Sequence, residues 1–67
     1  MNKPIKISKL KLLRVIQGLS QQIVSESVEI ERSYLSKMER GKMPITENVL
    51  PKLMKFYKVK NKREILG

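Results

Sequence analysis

Signals that start and stop helices divide the chain into short segments. Ser8 and Ser20 are typical helix N-caps, and Gly18 and Gly41 can adopt the left-handed conformation that ends a helix. Between these signals apolar residues recur three and four positions apart, and no sustained alternation typical of strands appears. The sequence therefore predicts an all-α fold, compact and built from five short helices.

The first three helices follow from these signals. We predict a first helix from about Ser8 to Gln17 and a second from Ser20 to about Ser27. A short connection, residues 28–30, leads to a third helix that starts at Glu31 or Arg32 and ends at Arg40, before Gly41.

Pro51 decides where the fourth helix begins. A start at Thr46 would place the proline at the fifth helical position, where its missing N–H removes a backbone hydrogen bond. A start at Asn48 places it in the first turn, so we predict Asn48 as the N-cap and residues 49–57 as helix. A last short helix follows Asn61, because residues 61–64 have the spacing of a capping box.

Helical periodicity also predicts which residues are buried. The predicted core residues are Ile7, Leu10, Leu13, Arg14, Gln17, Val24, Val28, Leu35, Met38, Val49, Leu50, Leu53, Phe56 and Tyr57. Leu12 and Val15 face away from this core, with Ile16 beside them. They are either isolated exposed apolar residues or a docking patch for a second chain. Ile65 and Leu66 are expected to contribute little to the core.

The charge balance favours a polyanionic partner. Fifteen Lys and Arg residues stand against six acidic ones, which gives a net charge of +9. Nucleic acid is the first candidate and an anionic membrane surface the second. A simply soluble, lysine-rich protein is the third reading.

Several absences argue against an enzyme. The 67 residues contain no Cys and no His, so thiolate nucleophiles, imidazole bases and most metal-ligand sets are excluded. We expect no cofactor, no metal and no small-molecule ligand. No stretch reaches the roughly 20 apolar residues of a membrane span, and no signal peptide is evident, so a cytoplasmic location is expected.

Helices 2 and 3 have the plan of a helix-turn-helix, and the sequence around them resembles a known family. Residues 19–22 read Leu-Ser-Gln-Gln, and residues 32–41 read Arg-Ser-Tyr-Leu-Ser-Lys-Met-Glu-Arg-Gly. Both blocks and their separation resemble the lambda-repressor-like (Cro-type or XRE-type) helix-turn-helix family, over about residues 7–66. The resemblance implies a five-helix DNA-binding domain that acts as a dimeric transcription regulator.

The resemblance also implies roles for individual residues. The base edges would be contacted by Arg32, Ser33, Ser36 and Lys37. The DNA backbone would be contacted by Gln21, Tyr34, Arg40 and Lys42. Arg14 and Glu39 would form a salt bridge between helices 1 and 3, and in relatives the dimer more often forms through the last helix, here Ile65 and Leu66.

Two positions depart from the family pattern. Ser25 stands where many relatives have Ala, and it is small enough for close helix packing. Glu29 stands where many have Gly, and a positive φ there would cost about 1–2 kcal/mol. Either the turn differs or the strain is tolerated. Glu31 is expected to cap helix 3 at its positive end.

Taken together, the sequence predicts one DNA-binding domain over residues 1–67, in which residues 1–7 are a possible basic arm. The predicted protein is a repressor that binds a palindromic operator as a homodimer, with helix 3, about residues 31–40, in the major groove. The alternative is a protein-interaction module, antitoxin-like or adaptor-like. Such a module would hold an acidic partner on the patch at Leu12 and Val15 or on the basic C-terminal face, where Lys52, Lys55, Lys58, Lys60, Lys62 and Arg63 lie.

Overall fold

The fold is all-helical throughout the part of the chain that the computed structural model describes, residues 7–66. The helices are α1 (Lys9–Ile16), α2 (Gln21–Ser27), α3 (Arg32–Glu39), α4 (Leu50–Tyr57) and α5 (Arg63–Leu66). Helix α1 packs against α3 and α5, and α2 packs against α3. The predicted five-helix fold class is confirmed. The predicted basic arm lies outside the described residues except for Ile7.

Side-chain caps fix the starts of α1 and α2. The Ser8 hydroxyl accepts a hydrogen bond from the Lys11 N–H at 3.1 Å, and the Ser20 hydroxyl accepts one from the Ile23 N–H at 3.1 Å. Each bond satisfies one of the first-turn amides that a helix leaves without a partner. Both predicted N-caps are confirmed.

The capping box at the start of α5 is also present. The Arg63 N–H donates to Asn61 Oδ1 at 2.9 Å, and the Asn61 N–H donates to Glu64 Oε2 at 3.4 Å. These reciprocal bonds stabilise the start of a helix of only 4 residues.

The predicted start of α4 is wrong. Val49, not Asn48, is the N-cap, and α4 begins at Leu50 with Pro51 in its first turn. The Thr46 carbonyl accepts from the N–H groups of Val49 (3.1 Å) and Leu50 (2.9 Å), so a hydrogen-bonded turn already precedes the helix. Asn48 lies inside that turn and therefore cannot be the extended residue that a side-chain cap requires.

Each of the first four helices is followed by a residue in the left-handed conformation. The residue that follows the left-handed one donates its N–H to the carbonyl five positions before it, at 2.8–3.1 Å. This hydrogen bond is typical of a Schellman motif. The left-handed residues are Gly18, Glu29, Gly41 and Lys58, with φ of 69, 59, 73 and 57°. The two glycine stops are confirmed, and at Glu29 the strain is tolerated. The stop at Lys58 was not predicted.

The core lies where the five helices meet. The buried apolar residues are Leu10, Val24, Val28, Leu35, Met38, Val49, Leu53, Tyr57 and Ile65. Ile65 is only 3% exposed, so the expectation that it contributes little to the core is wrong. Helix α5 packs against α1 and thereby carries this side chain into the core.

Two other burial predictions also fail. Ile7 and Gln17 were placed on the inner face of α1, but both are exposed. Ile7 precedes the N-cap of α1 and Gln17 is its C-cap, so both lie beyond the helical turns that face the core.

The outer face of α1 is apolar, as predicted. Leu12, Val15 and Ile16 are 42%, 52% and 72% exposed. Their positions three and four residues apart place them together on the side of α1 away from the core.

Candidate nucleic-acid interface

Helix α3 presents a polar face to solvent and an apolar face to the core. Leu35 is fully buried, and Met38 and Glu39 are each 3% exposed. The opposite face carries the side chains predicted to contact bases. Of these Arg32, Ser33 and Lys37 are exposed and Ser36 is half-buried. A helix with this division can enter a groove while its other side holds its position.

Helix α2 packs against α3 through small and branched residues. Val24 and Ser25 are 0% and 2% exposed, and Val28, just after α2, is 3% exposed. The Ser25 hydroxyl donates to the Gln22 carbonyl at 3.0 Å, so this buried polar group has a partner within its own helix. Ser25 thus satisfies the requirement for a small side chain at the helix crossing.

A buried ion pair links α1 to the end of α3. Arg14 Nε lies 2.7 Å from Glu39 Oε2, and Arg14 Nη2 lies 3.1 Å from Glu39 Oε1, which is a bidentate geometry. Arg14 Nη1 also donates to the Leu19 carbonyl at 2.8 Å. The two side chains are 12% and 1% exposed, so little water screens the pair. The hydrogen bonds that Arg14 donates to the Glu39 carboxylate raise the pKa of the guanidinium, which keeps its charge fixed.

Two further residues bind Glu39. Gln21 Nε2, at the start of α2, donates to Glu39 Oε1 at 3.1 Å. The Ser8 hydroxyl donates to the Glu39 backbone carbonyl at 2.7 Å. The last residue of α3 therefore makes polar contacts with α1, with the start of α2 and with the N-cap of α1. We call this group of Ser8, Arg14, Gln21 and Glu39 the Glu39 clamp.

The predicted phosphate-contacting residues lie around the two ends of α2 and α3. Gln21 and Tyr34 are half-buried, and Arg40 and Lys42 are exposed just after α3. Tyr34 Oη lies 3.5 Å from Thr46 Oγ1, so the phenol is near the loop that precedes α4. Arg40 Nε lies 3.4 Å from the Ser36 carbonyl, which holds the guanidinium stem along the helix.

Acidic residues border the start of α3. Glu31 is the N-cap of α3, but its side chain makes no capping hydrogen bond. It can therefore stabilise the start of α3 only through its negative charge at the positive end of the helix. Glu29 is exposed in the turn before it. Two carboxylates therefore lie beside the N-terminal end of the polar face.

Carboxylates lie among some of the C-terminal lysines. Lys52 and Lys55 line a shallow depression with Glu29, whereas Lys60 and Lys62 line another with Glu47. Each depression thus combines cations with a carboxylate.

Sequence reasoning missed two features near the Glu39 clamp. Ser8 was recognised only as an N-cap, because its second hydrogen bond depends on where α3 ends in three dimensions. Tyr57 was assigned to the core, but its hydroxyl is buried and has no hydrogen-bond partner among the described residues. Burial and, to a lesser extent, the nearby Glu39 carboxylate raise the pKa of Tyr57 to about 12, and Arg14 partly opposes both.

This geometry defines a class of protein. A seven-residue helix, a tight turn and a second helix with a solvent-facing polar side constitute a helix-turn-helix within a five-helix domain.

Comparison with known proteins identifies the family. A family model described as helix-turn-helix matches residues 10–60. The chain belongs to the lambda-repressor-like (XRE-type) helix-turn-helix family, whose members are DNA-binding transcription regulators and generally not enzymes. No curated protein and no solved structure matches the chain. No helix within residues 7–66 has the length and apolar character needed to cross a membrane.

Proposed function

We propose that this chain is a sequence-specific transcription repressor that binds a palindromic operator in double-stranded DNA as a homodimer. One observation carries the proposal. The exposed face of α3 bears a guanidinium, a hydroxyl and an ammonium group, while the Glu39 clamp and the buried Leu35 hold its other face. Such a helix presents base-reading groups at little additional cost in conformational entropy.

Base readout is assigned to Arg32, Ser33, Ser36 and Lys37. Arg32 opens α3, and the N-terminal residues of a recognition helix are those that reach base edges. Its guanidinium matches the O6 and N7 acceptors of guanine, and one bidentate contact discriminates by about 1–3 kcal/mol. Ser36 is half-buried and has a short side chain. It would therefore contact only a base edge, or a water bound to one, that lies close to the surface of α3.

Backbone contacts are assigned to Gln21, Tyr34, Arg40 and Lys42. The Gln21 amide has two N–H donors, and Glu39 takes one of them, so the other is available for a phosphate oxygen. Arg40 and Lys42 would add cationic contacts at the far end of α3. Such contacts fix the orientation of the protein on the duplex without reading its sequence.

Dimerisation is required to read a palindrome, and two surfaces are available for it. Leu66 is 49% exposed at the end of α5 and is available for a partner subunit. Ile65 is buried in the core, so it would contribute to dimerisation only by holding α5 in place. Leu12 and Val15 form the second candidate surface, on α1. Analytical ultracentrifugation of Leu66→Ser and of the Leu12→Ser/Val15→Ser double variant distinguishes them, because only the variant on the true interface dissociates.

The remaining parts of the proposal concern how the protein acts. We propose that residues 1–67 form one domain, that residues 1–7 are a basic arm, and that the protein is cytoplasmic and not an enzyme. It would act by occupying its operator, without a cofactor or a small-molecule ligand. Recognition helices of the two subunits would then lie in successive major grooves, about 34 Å apart.

Selection of bound fragments from a random pool of duplex DNA tests the proposal. The expected result is a two-fold symmetric motif. No enriched motif would contradict the proposal and would favour the protein-interaction alternative.

Two variants then separate base readout from phosphate contact. Arg32→Ala should weaken binding to the selected motif and largely spare binding to scrambled DNA. Lys42→Ala should weaken both and reduce the salt slope by about 1. Equal losses on scrambled DNA for both variants would contradict base readout by Arg32.

A further inference from the structure

The C-terminal end of α3 depends on a side chain for one of its backbone hydrogen bonds. Helices leave their last carbonyls without an intrahelical partner. After α3, the N–H groups of Arg40, Gly41 and Lys42 bond to the carbonyls of Ser36, Met38 and Lys37, respectively. None of the backbone N–H groups of the described residues bonds to the carbonyl of Glu39, a residue that is 3% exposed. Within residues 7–66, its one hydrogen-bond donor is the Ser8 hydroxyl, at 2.7 Å.

We propose that Ser8 is a positioning residue for DNA recognition, in addition to being the N-cap of α1. Its hydroxyl accepts from the Lys11 N–H and donates to the Glu39 carbonyl, so one oxygen both starts α1 and holds the end of α3. The inference rests on the proposed function, because it concerns the accuracy with which α3 is presented to a duplex.

The Glu39 carboxylate alone does not fix the end of α3. Arg14 and Gln21 hold only the side chain of Glu39. Rotation about the bonds of that side chain would still let the backbone of Glu39 move. Ser8 holds the backbone itself. Loss of that contact would free the last turn of α3 to shift. Base readout by side chains depends on sub-ångström placement, whereas contacts to the phosphate backbone tolerate small shifts better.

The chain offers a matched control for this test. Ser20 caps α2 in the same way as Ser8 caps α1, with the same 3.1 Å distance to a first-turn N–H and a similar extended backbone. Among the described residues, however, its hydroxyl donates to no carbonyl of another helix. Ser8→Gly and Ser20→Gly therefore remove equivalent caps, and glycine itself is tolerated at such positions. Only Ser8→Gly also removes the contact with α3.

The experiment measures a specificity ratio, the Kd for scrambled duplex divided by the Kd for the selected duplex. We expect Ser8→Gly to lower this ratio by about tenfold, the effect of one net hydrogen bond. Ser20→Gly should leave it within about twofold, and Ser8→Thr, which retains the hydroxyl, should restore it. Amide hydrogen exchange at Arg40 and Lys42 should be faster in Ser8→Gly than in Ser20→Gly, without any DNA present.

The outcomes separate this inference from the proposed function. An unchanged ratio in Ser8→Gly, while the wild-type ratio is far above one, overturns the positioning role alone, even if hydrogen exchange becomes faster. Equal losses in Ser8→Gly and Ser20→Gly also overturn it, because they show a general effect of stability. A wild-type ratio near one overturns the proposed function, and the positioning role with it.

Discussion

Breaking the ion pair of the Glu39 clamp should remove a large share of the domain's stability. Glu39→Leu leaves the Arg14 guanidinium, 12% exposed, without its carboxylate, and Gln21 loses an acceptor. Removal of one partner from a buried pair destabilises by about 3–5 kcal/mol. A folded chain of 67 residues is expected to have a stability of only about 3–10 kcal/mol. We expect the lower end of the loss, about 3 kcal/mol, because some water still reaches Arg14.

Urea unfolding followed by circular dichroism measures this loss. For a slope of about 1 kcal/mol/M, typical of a small protein, a loss of 3 kcal/mol lowers the midpoint by about 3 M. Arg14→Met should cause a similar loss, because it leaves the Glu39 carboxylate buried without its cation.

The double variant Arg14→Met/Glu39→Leu completes the cycle. Apolar replacement of both partners is often neutral or stabilising, so the double variant should be more stable than either single variant. Losses below about 1 kcal/mol in both single variants, adding up in the double variant, would refute the reasoning that this pair holds α3.

Three other predictions follow from the backbone and from the buried phenol. Because Tyr57 has its pKa raised from 10.0 to about 12, its contribution to stability is complete below pH 10 and is lost as the pH rises towards 12. The loss is up to about 3 kcal/mol, and unfolding of Tyr57→Phe measured across the same range should lack it. At neutral pH, Tyr57→Phe should change the stability by less than about 1 kcal/mol, because the hydroxyl has no partner among the described residues; a larger loss by urea unfolding would reveal one. Glu29→Gly and Lys58→Gly should each raise the stability by about 0.5–1 kcal/mol, because both residues have a positive φ, and a lower melting temperature in either variant would contradict this.

Local signals predicted most helix boundaries. The caps at Ser8 and Ser20 and the stops at Gly18 and Gly41 depend on hydrogen bonds within one or two turns, so a short stretch of sequence contains the whole cause. The start of α4 could not be predicted in this way. The turn closed by the Thr46 carbonyl depends on the path of the loop across the molecule, and nothing in the side chains near Asn48 specifies that path.

Tertiary contacts explain the other failures. Ile65 is buried because α5 packs against α1, a contact between two segments far apart in sequence. The second hydrogen bond of Ser8 joins residues 31 positions apart, so the capping motif gives no sign of it. In contrast, the polar face of α3 follows directly from helical periodicity, and the sequence alone placed Arg32, Ser33 and Lys37 on it.

The proposal that the exposed face of α3 reads DNA is tested most directly by an NMR titration. Duplex DNA is added to isotope-labelled protein, and the chemical shifts of the backbone amides are followed. The selected duplex should cause its largest shift changes at Gln21 and over residues 32–37, and a scrambled duplex should cause smaller changes there. Shift changes centred on α4 and α5, or equal changes with both duplexes, would contradict the claim that the exposed face of α3 reads DNA.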